Sequence, residues 1–453
     1  MHKFARSGKV FALTFLFSGA AKPAEGFPAS LGMKDPCMFF CGALLARYFQ
    51  YMWHDEVLDE GARYPEEIMK RDAKKSLVVQ GSLAAILSLL VGHFVGPLVP
   101  VAHAQAAPTA IAPAKDYSKA EEHARAVARE LLSRGIPGLA IAVAVDGRIV
   151  YSEGFGFADL EERVPVWPTT KFRIGSVSKP LAAVALVQLV EQGKLDLDAP
   201  VQKYVPSFPD KGAPITTRML AGHLGGIRHY KDDENLSAKH YNNVLEGLKI
   251  FEADPLVAPP GTKFSYSSYG FNLLSAVVQG ASGQDFLSYM HEHVFEPLGL
   301  RSTVEDQPAE IIEQRARFYT QPKDQHVLNA PFVDNSYKWA GGGFLSSAED
   351  LVRFGSALLQ PGFLKRDSLQ LLFTPQKTKD GQETKYGMGW FIGKSTSGQK
   401  IFEHSGGSVG GTSELILYPD VHMVVAMVTN FAGDEGGRWK TTDIQEFAEG
   451  FEK

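Results

Sequence analysis

Two β-rich runs, Leu139 to Val145 and Arg148 to Gly154, flank Asp146-Gly147, a pair that supplies the positive φ a tight hairpin turn requires. Near the other end of the chain, Tyr386 to Ile392, Lys400 to Glu403, Ser413 to Tyr418 and Val421 to Thr429 are again short and β-rich, separated by Gly, Ser and Pro-Asp turns. Between the two ends the patterning is mainly helical, as in Leu181 to Gln192, Gly270 to Gly280 and a segment starting at Ser346 with Glu349 three residues on. A further helix is expected over 118–133, where Ser118 and Glu121 have capping-box spacing and Ala124, Val127, Leu131 and Leu132 recur at helical intervals. Strands at both ends with helices between them leave few architectures. The expected class is α/β of the α+β type: one antiparallel sheet built from N- and C-terminal strands and flanked by helices. A mainly helical inserted unit is expected from about 195 to 345, with an active-site cleft where it meets the sheet.

Composition narrows the functions. With 44% apolar and 21% charged residues the chain is of ordinary globular type, and a net charge of -5 leaves no basic footprint for nucleic acid. The two cysteines, Cys37 and Cys41, imply no disulfide framework, and zinc there would need two more ligands, so no metal and no cofactor is expected.

The front of the chain reads as a leader. From Met69 a Lys- and Arg-containing stretch precedes Ser76 to Ala114, which has no charged residue, and Ala102-His103-Ala104 and Ala104-Gln105-Ala106 offer small residues at cleavage positions. Residues 69–106 are therefore signal-peptide-like, which implies a periplasmic or secreted location in a bacterium. Residues 76–100 could alternatively hold the chain in a membrane, although Gly92, Gly96, Pro97 and Pro100 interrupt the run. Residues 1–68 stay unassigned: translation starts at Met69, or Lys3, Arg6, Lys9 and Lys22 belong to a basic organelle-import or export leader, a mitochondrial one included. Residues 107–117 read as an Ala- and Pro-rich linker.

The chemistry centres on Phe172 to Lys179, which opens an apolar helix. A separation of three puts Ser176 and Lys179 on one face, where an amine with a pKa lowered by burial can take the proton of a serine hydroxyl. Free N–H groups at a helix start would favour a developing oxyanion. Ser397-Gly398-Gln399-Lys400 has the same spacing but lies in a Gly-rich turn and reads as structural. Ser176 is distinguished by its company: Tyr266-Ser267-Ser268 after Pro259-Pro260-Gly261, and His404-Ser405-Gly406-Gly407 entering a strand. Tyr241-Asn242-Asn243 lacks the Pro-Gly lead-in and reads as surface. Trp339 to Gly343 either lines the cleft or forms a closely packed turn. His223 and His229 read as structural, and His291 and His293 point different ways on a helix, which disfavours a metal pair.

Taken in this order, about 90 and then about 140 residues apart, the three elements resemble the serine β-lactamase, penicillin-binding DD-peptidase and esterase superfamily over about residues 118–445. Gly226 to Tyr230, Arg315 to Tyr319 and Val333 to Phe344 further resemble its mitochondrial β-lactamase-like branch and bacterial relatives. The resemblance implies that Lys179 and Tyr266 share general-base work on Ser176, with a nearby ammonium easing loss of the phenolic proton. It implies that His404 steers a substrate carboxylate or polarises the site, and that the N–H groups of Ser176 and Gly407 form the oxyanion hole. Ser268 stands where the family usually has Asn, and a hydroxyl cannot reproduce that amide's donor and acceptor, which implies poor β-lactam turnover. The implied function is an acyl-enzyme hydrolase of small peptide or amide substrates, with carboxylesterase or weak β-lactamase activity as alternatives. A reading of another class is a self-assembling scaffold with a vestigial site, motivated by residues 1–68 and the run at 76–100.

Overall fold

The computed structural model describes residues 115–323, 326–433 and 441–452. The chain divides into two units, Met1–Ala110 and Ile111–Lys453, and the second contains every described residue. The expectations for residues 1–68, for the leader at 69–106, for a membrane-held run at 76–100, for Cys37 and Cys41 and for most of the linker lie outside the described residues. Among the described residues, no helix is long and apolar enough to cross a membrane.

The hairpin forms as expected, from β1 (Gly138–Val145) and β2 (Arg148–Asp159), with Asp146 at φ 50° and Gly147 at φ 75° in the turn. The remaining strands of this sheet are β3 (Val164–Pro165), β4 (Phe391–Lys394), β5 (Lys400–Ser408), β6 (Gly411–Tyr418) and β7 (Met423–Thr429). Their order is β3-β2-β1-β7-β6-β5-β4. The two chain ends therefore meet at the sheet centre, where β1 and β7 pair antiparallel from Leu139 opposite Thr429 to Val145 opposite Met423. Every residue of β7 is buried, as a central strand covered on both faces demands.

Alternation assigns the two faces. Leu139, Ile141, Val143, Val425 and Met427 pack with Ala124, Ala128 and Leu131 of helix α1 (Ser118–Ser133), and with Ile444 and Phe447 of a C-terminal helix, Thr441–Ala448. Ala140, Ala142, Ala144, Val424, Ala426 and Val428 point the other way, into the larger core containing α2 (Ser178–Glu191), α3 (Ser268–Ser282) and α4 (Ala348–Leu359). Each fully buried Val, Leu, Ile, Phe or Met stabilises this arrangement by about 1.5–3 kcal/mol before entropy is counted. Helix α2 is apolar all round because it runs through that core rather than along its surface.

Several expectations need correction. Ser118 and Glu121 form no capping box: the Asp116 carboxylate accepts from the Ser118 N–H at 2.9 Å, and Glu121 pairs with Arg125 one turn on. Helix α4 is capped by Ser347, whose hydroxyl accepts from the Asp350 N–H at 3.2 Å, and not by Ser346 with Glu349. In the run Tyr386 to Ile392 only its end is strand. Gly387 N–H closes a turn onto Trp390 O, and the N–H groups of Met388 and Gly389 bond to Leu372 O and Ala221 O, which pulls the loop onto the helical core. The unit at 195–345 is mostly turns and loops, with α3 its one long helix among the described residues. The C-terminal helix, unforeseen in the pattern, carries the fold past the expected end at 445 to a buried Phe451.

One seam positions the site. The segment Ile174-Gly175 lies backbone to backbone against Gly406-Gly407 of β5, while Ser413 Oγ donates to Ile174 O at 2.7 Å. A Cβ on Gly406 would collide with Ile174 O, and one on Gly175, at φ +48°, would meet Gly407 O and lie 2.7 Å from Gly407 C. Gly407 itself opens onto free space. Gly406→Ala should therefore lower stability by about 1–3 kcal/mol, while Gly407→Ala should stay within about 0.5 kcal/mol. Thermal or urea unfolding of the two variants checks this; equal losses would contradict the seam.

Candidate active site

Ser176 sits in the 3₁₀ turn Gly175–Val177 that runs directly into α2, and Lys179 follows within the first turn of that helix. Lys179 is completely buried. Its Nζ lies 2.8 Å from Ser176 Oγ, 3.1 Å from Ser268 Oγ and 2.6 Å from Gly341 O. Burial pushes its pKa well below the usual lysine value. A neutral amine has two N–H donors and one lone pair. Gly341 O can only accept, so with Ser268 Oγ taking the second N–H the lone pair is left for the Ser176 hydroxyl. The arrangement is that of a base poised on its nucleophile.

Tyr266 completes the group. Its side chain neighbours Ser176, and its ring lies 4.9 Å from Lys179 Nζ. Burial raises the phenol's pKa, only partly opposed by the neighbouring Ser176 hydroxyl. This corrects the expectation of an easily ionised tyrosine: desolvation disfavours the phenolate. Desolvation thus favours the protonated phenol of Tyr266 and the uncharged amine of Lys179.

His404 also departs from expectation. It is buried, its Nε2 accepts from Tyr386 Oη at 3.0 Å and its Nδ1–H donates to Ser405 O at 2.7 Å. Burial lowers its pKa to about 3, so it is neutral with both ring nitrogens occupied. It cannot offer a positive charge to a substrate carboxylate. With Tyr386 and His223 it forms an aromatic wall behind Tyr266, His223 lying 4.2 Å and His404 6.3 Å from the Tyr266 ring.

The two histidines read as structural hold the tyrosine segment from behind. His223 Nδ1 accepts from the Ser267 N–H and His229 Nδ1 from the Ser268 N–H, both at 3.1 Å. Ser267 caps α3, its hydroxyl accepting from the Gly270 N–H at 2.9 Å. Ser268 is brought to the lysine as well as to the cleft.

A cavity of about 560 Å³ opens at this point, lined by Ser176, Ser268, Gly407, His229, Tyr230 and Lys338. Ser176 and Gly407 thus share one wall, as an oxyanion hole requires. Gly341 and Gly342 line it too, whereas Trp339 is buried, which divides the expectation for 339–343 between cleft and packing. Lys338 was not singled out by pattern; its signal was a lysine between aromatic residues in the stretch Val333 to Phe344. The remaining candidates fall elsewhere. Asn243 caps a short helix, His291 and His293 bond to Glu305 and Gln284, and Ser397 bonds to Ser395 in a turn.

Comparison with known proteins places the chain in a family. The protein-family model described as β-lactamase matches residues 119–447. The chain is 35% identical over 407 residues to the mitochondrial serine β-lactamase-like protein LACTB of Homo sapiens, covering 68% of this chain and 74% of that protein. Among solved structures, the octameric penicillin-binding protein homologue from Pyrococcus abyssi superposes with a TM-score of 0.63 at 26% identity, covering 73% of this chain and 76% of the other. D-amino acid amidase from Ochrobactrum anthropi SV3 shares the fold, with a TM-score of 0.63 at 22% identity over 74% of this chain and 97% of its own. The chain belongs to the β-lactamase and penicillin-binding-protein superfamily of serine hydrolases.

Proposed function

We propose that this chain cleaves peptide or amide bonds through an acyl-enzyme at Ser176. The observation that carries the reading is the buried Lys179 Nζ 2.8 Å from Ser176 Oγ. As Oγ bonds to the substrate carbonyl carbon, the hydroxyl proton passes to Lys179, and the carbonyl oxygen gains charge that the N–H groups of Ser176 and Gly407 would stabilise. When the C–N bond breaks, the departing nitrogen needs a proton. Tyr266, kept protonated by burial and lying next to Ser176 and Lys179, is suited to relay one from the Lys179 ammonium. A water then attacks the acyl group, giving its proton to the same base, and the Ser176 hydroxyl is restored.

Amides are favoured over esters because an amine leaves only with a proton, whereas an alkoxide needs less help. The shared fold of the D-amino acid amidase supports this as analogy. A poised base argues against a vestigial site in a scaffold protein. Weak β-lactamase activity is a lesser reading, since Ser268 is engaged with Lys179 and is no substitute for an amide that holds substrate. Delivery to a bacterial periplasm or exterior rests on the leader-like residues 69–106, and delivery into a mitochondrion on the basic stretch within residues 1–68 and on the mitochondrial relative.

A fluorophosphonate should add one covalent mass to the purified protein, at Ser176, and none to Ser176→Ala; an unmodified wild type would sink the mechanism. Removing the base with Lys179→Ala should slow labelling by about 10²–10⁴. The wild-type rate should rise with pH as Lys179 loses its proton and level off well below 10.5, because burial lowers that pKa. Ser268→Ala removes one hydrogen bond to the base, worth about 0.5–1.5 kcal/mol, and should slow labelling about 2- to 10-fold.

A further inference from the structure

We propose that Lys338 is the residue that recognises substrate charge in this cleft, and that the substrate carries a carboxylate bound at its Nζ beside Asn235. The inference rests on the reading of Ser176 as nucleophile. Lys338 is only 4% exposed yet lines the same cavity as Ser176. It directly precedes the short helix Trp339–Gly342, whose Gly341 O holds Lys179, so one segment ties this second lysine to the catalytic base.

Its ammonium is under-partnered. Nζ donates to Asn235 O at 3.1 Å and lies 5.0 Å from the Tyr337 ring centroid and 5.9 Å from that of Tyr230. Among the described residues no carboxylate lies within salt-bridge distance of it. The two nearby acids are committed elsewhere. Asp306 takes Arg173 Nε and Asn335 Nδ2, both at 2.6 Å, and Asp334 takes His240 Nδ1 at 2.9 Å and the Ser336 N–H at 2.8 Å. An ammonium with spare donors, out of water and facing a cleft, is stabilised by an anion that fills the cleft. His404, where the family resemblance put that task, is neutral and turned away.

Burial and the charge of Arg173 lower the Lys338 pKa to about 7, against the opposing pull of Asp306 and Asp334. Of the other titratable groups on this side of the cleft, Lys179 has a pKa held well below the usual lysine value, and that of His229 is lowered to about 4 by partial desolvation and the neighbouring Lys179. The preference for an anion should therefore be strongest on the acid side of neutrality and fade as pH rises past about 7.

Phenylboronic acid, 3- and 4-carboxyphenylboronic acid and their methyl esters test this as reversible Ser176 ligands, with affinity read by competition against fluorophosphonate labelling. In the wild type one carboxylated acid should bind about tenfold or more tighter than its methyl ester. In Lys338→Met that ratio should fall to near one. Should Lys338→Met fail to fold, the wild-type ratio must still decline with rising pH. Equal binding of acid and ester by the wild type, or a preference that survives Lys338→Met, overturns the role of Lys338 while leaving the hydrolase reading intact. If none of the boronic acids and no fluorophosphonate engages Ser176, the hydrolase reading fails and takes this inference with it.

Discussion

The contact between Ile174-Gly175 and Gly406-Gly407 sets where everything else in the site can be. Two backbones meet there with no side chain between them, which only glycine permits at this distance, and the Ser413 hydroxyl fastens Ile174 O to the sheet. Ser176 is thereby fixed at the sheet edge with Gly407 on the same wall. Arg173, three residues before Ser176, adds a second fastening through its buried ion pair with Asp306 and its bond to Val409 O at 2.8 Å. Removing one member of that pair would leave an uncompensated buried charge, so the strand leading to the nucleophile is costly to displace.

Within this frame the site works by removing water. Lys179 reaches no solvent, and Tyr266 is backed by His223, His404 and Tyr386. Desolvation acts with opposite sign on the two groups: it disfavours the lysine's cation and the tyrosine's anion alike, and so leaves an amine base beside a phenolic acid. His223 and His229 keep the tyrosine segment in register by accepting the N–H groups of Ser267 and Ser268.

Much of this was legible from residue order. Asp146-Gly147 between alternating runs marks a hairpin by local stereochemistry, and Ser176 with Lys179 need only helical spacing to meet. What pattern could not reveal depends on the third dimension. The Tyr386 to Trp390 run has strand composition, yet packing against Leu372 and Ala221 draws it off the sheet. His404 occupies a position that a family resemblance endows with charge, but burial is a property of neighbours, and Tyr386 and Ser405 take both its nitrogens. Lys338 was missed for the converse reason. A lone lysine in a loop reads as solvated, and only the fold encloses it.

The pairing of β1 with β7 has a consequence in time. Leu139 finds its partner in Thr429, so the hairpin emerges from the ribosome long before the strand that completes it. Until then the edge of β1, buried on both faces in the finished molecule, offers unpaired N–H and C=O groups to any other chain. Contacts that distant in sequence also close slowly. A chain built this way folds last at its own centre, and its exposure to misassembly falls during synthesis rather than during its working life.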